Sequence, residues 1–288
     1  TGNRAPTGGR SGNTSRSPDN TVSIMDSYLY RKHTTMNVSI TVTSPTPIIA
    51  ICNHKGGSGK TTTAWNLAQA LNADDAGHLR RVLLVDLDDQ ATLTNRLAHQ
   101  AARIGSPIET QPTIADALDG APTTVYHYTP ILDYIPADHR LAWVAAKMQA
   151  SSPNHAFLAR VLRHVEPYDY VLLDCPPSAG IIMINALAAC THTVIPVTAS
   201  EESWDGRQRM ESMIAEVANV LGKTITPLGA VLTMRSPRSK AQDYYEALNA
   251  QAGLLGAIPH AVGIDADKRI YQAYEPVASA LRAKLAQE

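Results

Sequence analysis

At 288 residues, the chain is long enough to bury one substantial core, either as one large α/β domain or as two small ones. Hydrophobic residues at 44% and charged residues at 18% sit near the globular average, which excludes a wholly disordered chain. A formal net charge of −1 gives no whole-molecule reason to attract a polyanion, so nucleic-acid binding would need a local basic patch.

Residues 1 to about 23 are Gly, Ser, Thr, Asn, Arg and Pro with hardly any large apolar side chain, a composition that cannot offset the entropy of ordering. A flexible tail is expected over 1–36 and one folded domain over 37–288. From Val38 the run V-S-I-T-V alternates at period two and reads as a short edge strand. Ile48 to Cys52 is β-like and ends in a glycine-rich loop, followed by a helical stretch from about Lys60 to Ala73. Further strands are expected at Arg81–Asp86, Ile131–Ile135, Tyr170–Asp174, Thr193–Val197, Leu228–Met234 and Leu254–Ile258, with helical patterns between most of them. Continuous apolar runs alternating with helices predict an α/β fold: a doubly wound, mostly parallel sheet with helices on both faces. No window of 18 continuous apolar residues and no N-terminal apolar h-region occurs, so neither a spanning helix nor a secretory signal is expected. Cys52, Cys175 and Cys190 lie in or beside apolar runs, which suits a reduced, cytoplasmic interior more than a disulfide framework or a metal cluster.

After the first strand stands C-N-H-K-G-G-S-G-K-T-T-T, residues 52–63. The general phosphate-loop pattern G-x-x-x-x-G-K-[ST] asks for glycine where His54 stands, but the physics of the loop is intact. Gly56, Gly57 and Gly59 let the backbone turn N–H groups inward around a phosphate at a helix N-terminus, whose dipole favours anions. Ser58 completes the loop, Lys60 would neutralise the β- and γ-phosphates, and Thr61 offers a hydroxyl to Mg²⁺. The segment 82–90 then places Asp86, Asp88 and Asp89 at the C-terminal end of a buried strand, where ligands of open α/β sheets bind. A carboxylate there can orient water or hold the hydration shell of Mg²⁺. A third strand, Tyr170 to Asp174, delivers one acid followed by Cys-Pro-Pro-Ser, the arrangement in which Asp174 accepts from a Mg²⁺-bound water.

With Lys55 five residues before Lys60, and Thr62 and Thr63 extending the match, the loop resembles the deviant Walker A box K-G-G-x-G-K-[ST] of the ParA/MinD family of ATPases. The resemblance implies a P-loop NTPase fold, ATP and Mg²⁺ as ligands, and hydrolysis of ATP to ADP and phosphate. It also implies a nucleotide-sandwich homodimer in which Lys55 reaches across to the other subunit's nucleotide. The 82–90 segment is similar to the family's D-x-D-P-Q-G-N box, so that Asp86 falls at the metal and Asp88 positions the attacking water. Asp89 replaces the usual proline, and Ala91-Thr92 replace Gly-Asn.

Branches of that family differ in what the ATP-bound dimer touches. Arg235, Arg238 and Lys240 form a basic cluster without an acid after one of the later strands, and L-T-M-x-x-P-R at 232–238 resembles ParA-type DNA partition proteins. Lys268 and Arg269 could join such a patch. The usual I-P-R-x-x-R after the last strand reads Ile258-Pro259-His260-Ala261-Val262-Gly263 here, with both arginines missing. A MinD-like membrane switch or a protein-cargo-positioning ATPase is the alternative. Its C-terminal anchor would need bulky apolar residues and a basic face, whereas Val277, Leu281 and Leu285 form an ordinary packing stripe among alanines. The expectation is therefore an ATP-dependent DNA-segregation ATPase of the cytoplasm and nucleoid. Its dimer would bind nonspecific DNA and be reset by hydrolysis that a ParB-type centromere-binding protein stimulates, with no membrane partner.

Overall fold

The computed structural model describes residues 46–150, 155–235, 239–250, 253–261 and 266–288. The expected tail over 1–36, the run from Val38 and Arg238 lie outside the described residues, as does the side chain of Lys240. In chain order the elements are β1 (Ile48–Ile51), α1 (Lys60–Leu71), β2 (Val82–Asp86), α2 (Thr92–Arg103), α3 (Ile114–Leu118), β3 (Tyr126–Thr129) and β4 (Leu132–Ile135). There follow α4 (Arg140–Ala150), α5 (Phe157–Arg163), β5 (Tyr170–Asp174), α6 (Ile181–Ala189), β6 (His192–Thr198), α7 (Glu201–Leu221), β7 (Thr226–Arg235), α8 (Ser239–Ala250), β8 (Leu254–Pro259) and α9 (Ala266–Leu285).

The strands form one sheet in the order β3-β4-β2-β5-β1-β6-β7-β8, parallel throughout except for the edge pair β3–β4. Each apolar run feeds two cores because side chains alternate across the sheet. Ala50 and Cys52 of the first run, with Leu83 and Val85 of β2, point into the layer shared with α6 and α7. Ile49 and Ile51, with Val82 and Leu84, point into the layer shared with α1, α2 and α9. Residues buried this completely contribute about 1.5–3 kcal/mol each for a large aliphatic side chain, and this fixes the register as well as the stability. Tyr274, Val277, Ala278 and Leu281 of α9 are fully buried in that second layer, so most of the C-terminal apolar stripe is a packing stripe. The Tyr274 hydroxyl lies 2.8 Å from Thr63 Oγ1 and ties α9 to the helix that follows the glycine loop. Among the described residues, no helix is long and apolar enough to cross a membrane.

The strand that sequence pattern does not reveal is β3. Its sequence Tyr-His-Tyr-Thr is half exposed at the sheet edge and antiparallel, so it carries none of the continuous apolar signal of the inner strands.

Candidate nucleotide site

Sheet order brings the site together. β1 lies between β5 and β6 near the middle of the sheet, and β2 lies beyond β5. Register sets Ile51 beside Asp174 and Asp174 beside Asp86, so the start of the glycine loop and two carboxylates leave the same sheet edge as neighbours. This is the carboxyl edge, at a point where the chain turns to both sides of β1, the usual ligand crevice of an open α/β sheet.

The loop is anchored at Asn53, which is fully buried. Its Nδ2 donates to Pro196 O at 2.6 Å, and its Oδ1 accepts from Lys55 N at 3.0 Å. Gly57 and Gly59 take φ of 71° and 90°, left-handed conformations that side chains disfavour. Gly56 and Gly57 are exposed at the loop crest, with no atom within 4 Å of where a Cβ would stand. The loop thus presents its backbone at the N-terminus of α1, whose cap has no side-chain hydrogen bond and so leaves the first helical N–H groups available to an anion. Ser58 is buried and its hydroxyl finds no partner among the described residues. The Thr62 carbonyl accepts from Asn66 Nδ2 at 2.7 Å, which fixes the first turn of α1.

Lys60 is 7% exposed, and its ammonium donates to the carbonyl of Lys55 at 3.2 Å, folding back over the loop. Burial pulls its pKa down, opposed by the charges of Asp174 and Asp88. Asp174 is fully buried and neither carboxyl oxygen has a hydrogen-bond partner among the described residues. Burial pushes this carboxyl well above the usual carboxylate range and the neighbouring Asp86 adds to the rise, while Thr61 and Lys60 pull the other way. Thr61 therefore lies close enough to favour the anion without meeting hydrogen-bond geometry. A buried carboxyl with two unused oxygens is an expensive arrangement that a cation or its water shell would relieve.

Asp86 and Asp88 divide their work. Asp86 Oδ2 accepts from Thr94 N at 2.9 Å and from Thr94 Oγ1 at 2.7 Å, and Oδ1 accepts from Asp88 N at 3.1 Å. Burial pushes its pKa up to about 6 against those three donors. Its oxygens thus hold the first turn of α2 and the following loop in place, while its charge acts on Asp174 from the adjacent strand. Asp88 is half-buried, accepts from Gln90 N at 3.1 Å, and is raised by burial and by Asp89, with Lys60 opposing. The departures from the family box leave Ala91 at φ 51° as the residue before α2, a left-handed conformation that a glycine would adopt without strain.

Lys55 points away from its own loop. Its Nζ donates to Ser200 Oγ at 3.0 Å and to Glu202 Oε2 at 3.2 Å, at the start of α7. Gly206, one turn further along α7, makes this approach possible: a Cβ there would stand 3.3 Å from Asn53 Oδ1 and 4.0 Å from Lys55 Cβ. His54 has its pKa lowered by burial, then by the charges of Arg209 of α7 and Lys60.

Of the residues expected at a DNA face, Arg235, Lys268 and Arg269 are described with their side chains, and they fall at the same sheet edge. Arg235 ends β7, with its guanidinium 4.4 Å from the ring centre of Tyr245 and an NH2 to Gln242 Oε1 distance of 2.8 Å, both on α8. Lys268 and Arg269 are exposed in the first turn of α9, beside Asp267, which pairs with Arg96 at 3.6 Å. Sequence reasoning passed over Asn53, Ser200, Glu202, Gly206 and Thr233. The signal for Asn53 was its place between an apolar strand and the glycines. The others belong to β7 or to the β6–α7 segment, and only strand order brings them to the loop.

A sequence-family profile described as AAA domain matches residues 46–226. The chain is 36% identical over 194 residues to the sporulation initiation inhibitor protein Soj of Bacillus subtilis, covering 67% of this chain and 74% of that one. It is 34% identical over 207 residues to the chromosome partitioning protein ParA of Caulobacter vibrioides, covering 69% and 74%. Among solved structures, cobyrinic acid a,c-diamide synthase from Mycobacterium smegmatis, with bound ATP analog and magnesium, superposes with a TM-score of 0.70 at 27% identity, over 84% of this chain and 96% of that one. A plasmid partition protein from Borrelia burgdorferi superposes with a TM-score of 0.67 at 23% identity, over 85% and 100%, a likeness of fold. With a glycine loop carrying Lys55 and Lys60, an acid-ended neighbouring strand and these relatives, the chain belongs to the ParA/MinD-type partition ATPase family.

Proposed function

We propose that this protein is an ATP-driven DNA-segregation switch: ATP and Mg²⁺ bind at the glycine loop, two copies then face each other across their nucleotides, and the dimer holds nonspecific DNA. The observation that carries the reading is the pairing of a left-handed glycine loop flanked by Lys55 and Lys60 with the buried carboxyl of Asp174, which has no hydrogen-bond partner among the described residues. The backbone of 56–59 and the N–H groups of Thr61 and Thr62 would bind phosphate oxygens, and Lys60 would neutralise them once it leaves the Lys55 carbonyl. Thr61 and Asp174 fit a hydrated Mg²⁺, with the charge of Asp86 one strand away. When bound, that ion neutralises charge developing on the phosphates. Asp88, half-buried near Lys60, would orient the attacking water. Lys55 would exchange Glu202 for the partner copy's nucleotide.

ATP favours the dimer only in so far as it binds the dimer more tightly than the monomer, so hydrolysis resets the switch. A ParB-type protein would accelerate that reset. The basic residues at 235–240, with Lys268 and Arg269, supply the phosphate contacts to DNA, placing the active form on the nucleoid in the cytoplasm. A gel shift on nonspecific duplex with ATP, ADP and no nucleotide tests this. Retardation with ATP alone supports the reading. Binding that ignores nucleotide, or no binding in any state, refutes it.

A further inference from the structure

The floor of the glycine loop is a side chain from a strand that carries no phosphate-binding residue. Thr233 of β7 is 3% exposed, and its Oγ1 lies 2.8 Å from the carbonyl of Ser58 and 3.1 Å from the carbonyl of Val197 in β6. A hydroxyl has one proton, so it cannot donate fully to both carbonyls. The loop and β6 therefore compete for it, and a shift of the Ser58 peptide hands it to Val197. Thr233 also leaves no room for a side chain on the loop here: a Cβ on Gly59 would stand 3.1 Å from Thr233 Cγ2.

The end of β7 beyond Thr233 is built unlike the rest of the sheet. Met234 has φ of 54°, a conformation sparsely populated by residues other than glycine, and it is 48% exposed. β7 also loses register with β8 here: Leu232 pairs with Ala257, and the next pairing is Arg235 with Pro259. Beyond the irregularity, Arg235 is fastened to α8 through Tyr245 and Gln242, and its carbonyl accepts from His260 N at 2.9 Å. A loop contact, a strained residue outside the ladder and the first base of the DNA cluster are thus consecutive in the chain.

We infer that Thr233 is a positioning residue that relays the state of the phosphate loop, through Met234, to Arg235 and α8. It rests on the reading of the loop as nucleotide-binding, and it adds the route by which nucleotide sets the DNA face. Phosphate binding draws the loop peptides toward the ligand, the Thr233 hydroxyl changes acceptor, and the strained peptide at Met234 lets the end of β7 turn without unzipping the sheet. The effect on α8 then comes through the two side-chain contacts of Arg235.

Hydrogen–deuterium exchange of the peptides covering α8, with and without ATP and Mg²⁺, tests the relay on the full chain. In the wild type ATP changes their exchange. In Thr233→Val, which keeps shape and loses the hydroxyl, that change falls at least about threefold when both proteins are compared at saturating ATP, with saturation of each checked by titration of a fluorescent ATP analogue. Thr233→Ser restores the change. An α8 response in Thr233→Val equal to wild type, a loss that only tracks lost ATP affinity, or no α8 response in the wild type would each overturn the relay. Should Thr233→Val not fold, Met234→Gly serves: relaxing the left-handed residue weakens the α8 response, and an unchanged response overturns the proposal. Absence of DNA retardation with the α8 response intact would remove the DNA reading and support the relay.

Discussion

Lys55 and Lys60 are two ammonium groups five residues apart that answer to different partners. Lys60 is buried and bonded to its own loop, and Lys55 is held at 3.0 and 3.2 Å by Ser200 and Glu202. Removing the first removes the charge that a triphosphate would meet, so Lys60→Ala should abolish ATP binding in a titration with a fluorescent analogue, and undiminished affinity would refute the site. The second contact is a partly exposed ion pair, Lys55 being 33% and Glu202 80% exposed, of the kind that solvent screens and that contributes little. Glu202→Ala should therefore strengthen ATP-driven self-association modestly, by about 1.4- to 5-fold, in sedimentation velocity. A weaker dimer would mean that Glu202 acts in the assembled form instead.

At the scale of elements, the sheet positions these residues by register, and one tight point tests how closely. Gly229 in β7 has φ of 134°, and a Cβ there would stand 2.6 Å from the carbonyl oxygen of Gly253, beside the register shift at Ala230/Val231. Both the conformation and the clash penalise a side chain, so Gly229→Ala should destabilise the fold by about 2–4 kcal/mol, read as a lower Tm. An unchanged Tm would mean that the bulge relaxes freely. The inner strands were legible in the sequence because strands covered on both faces read as continuous apolar runs, and the loop was legible because its glycines and lysines are consecutive. β3 escaped because an edge strand of aromatic and polar residues has no such run. Thr233, Ser200 and Glu202 escaped for a different reason: their role depends on β6 lying beside β1 and β7 beside β6, and strand order is not written in local pattern. Asp86 was legible as an acid at the strand end, while its bonds to Thr94 and Asp88 appear only once α2 is in place.

Over the whole molecule, a net charge of −1 means that any polyanion must be met by a segregated face. Replacing Arg235, Arg238 and Lys240 together by Ala should weaken ATP-dependent DNA binding and flatten its dependence on log salt by about 1 for each phosphate no longer neutralised, and an unchanged slope would place the face elsewhere. In the proposed switch such a face is useful only if nucleotide assembles it, and assembly would depend on Lys55 and the copy of the protein opposite it. The most direct measurement is sedimentation velocity of wild type and Lys55→Ala with ATP and Mg²⁺, alongside ATP affinity for each. With ATP the wild type should sediment as a dimer, and Lys55→Ala should bind ATP yet stay monomeric. A variant that dimerises as the wild type does would contradict the role of Lys55 in the switch.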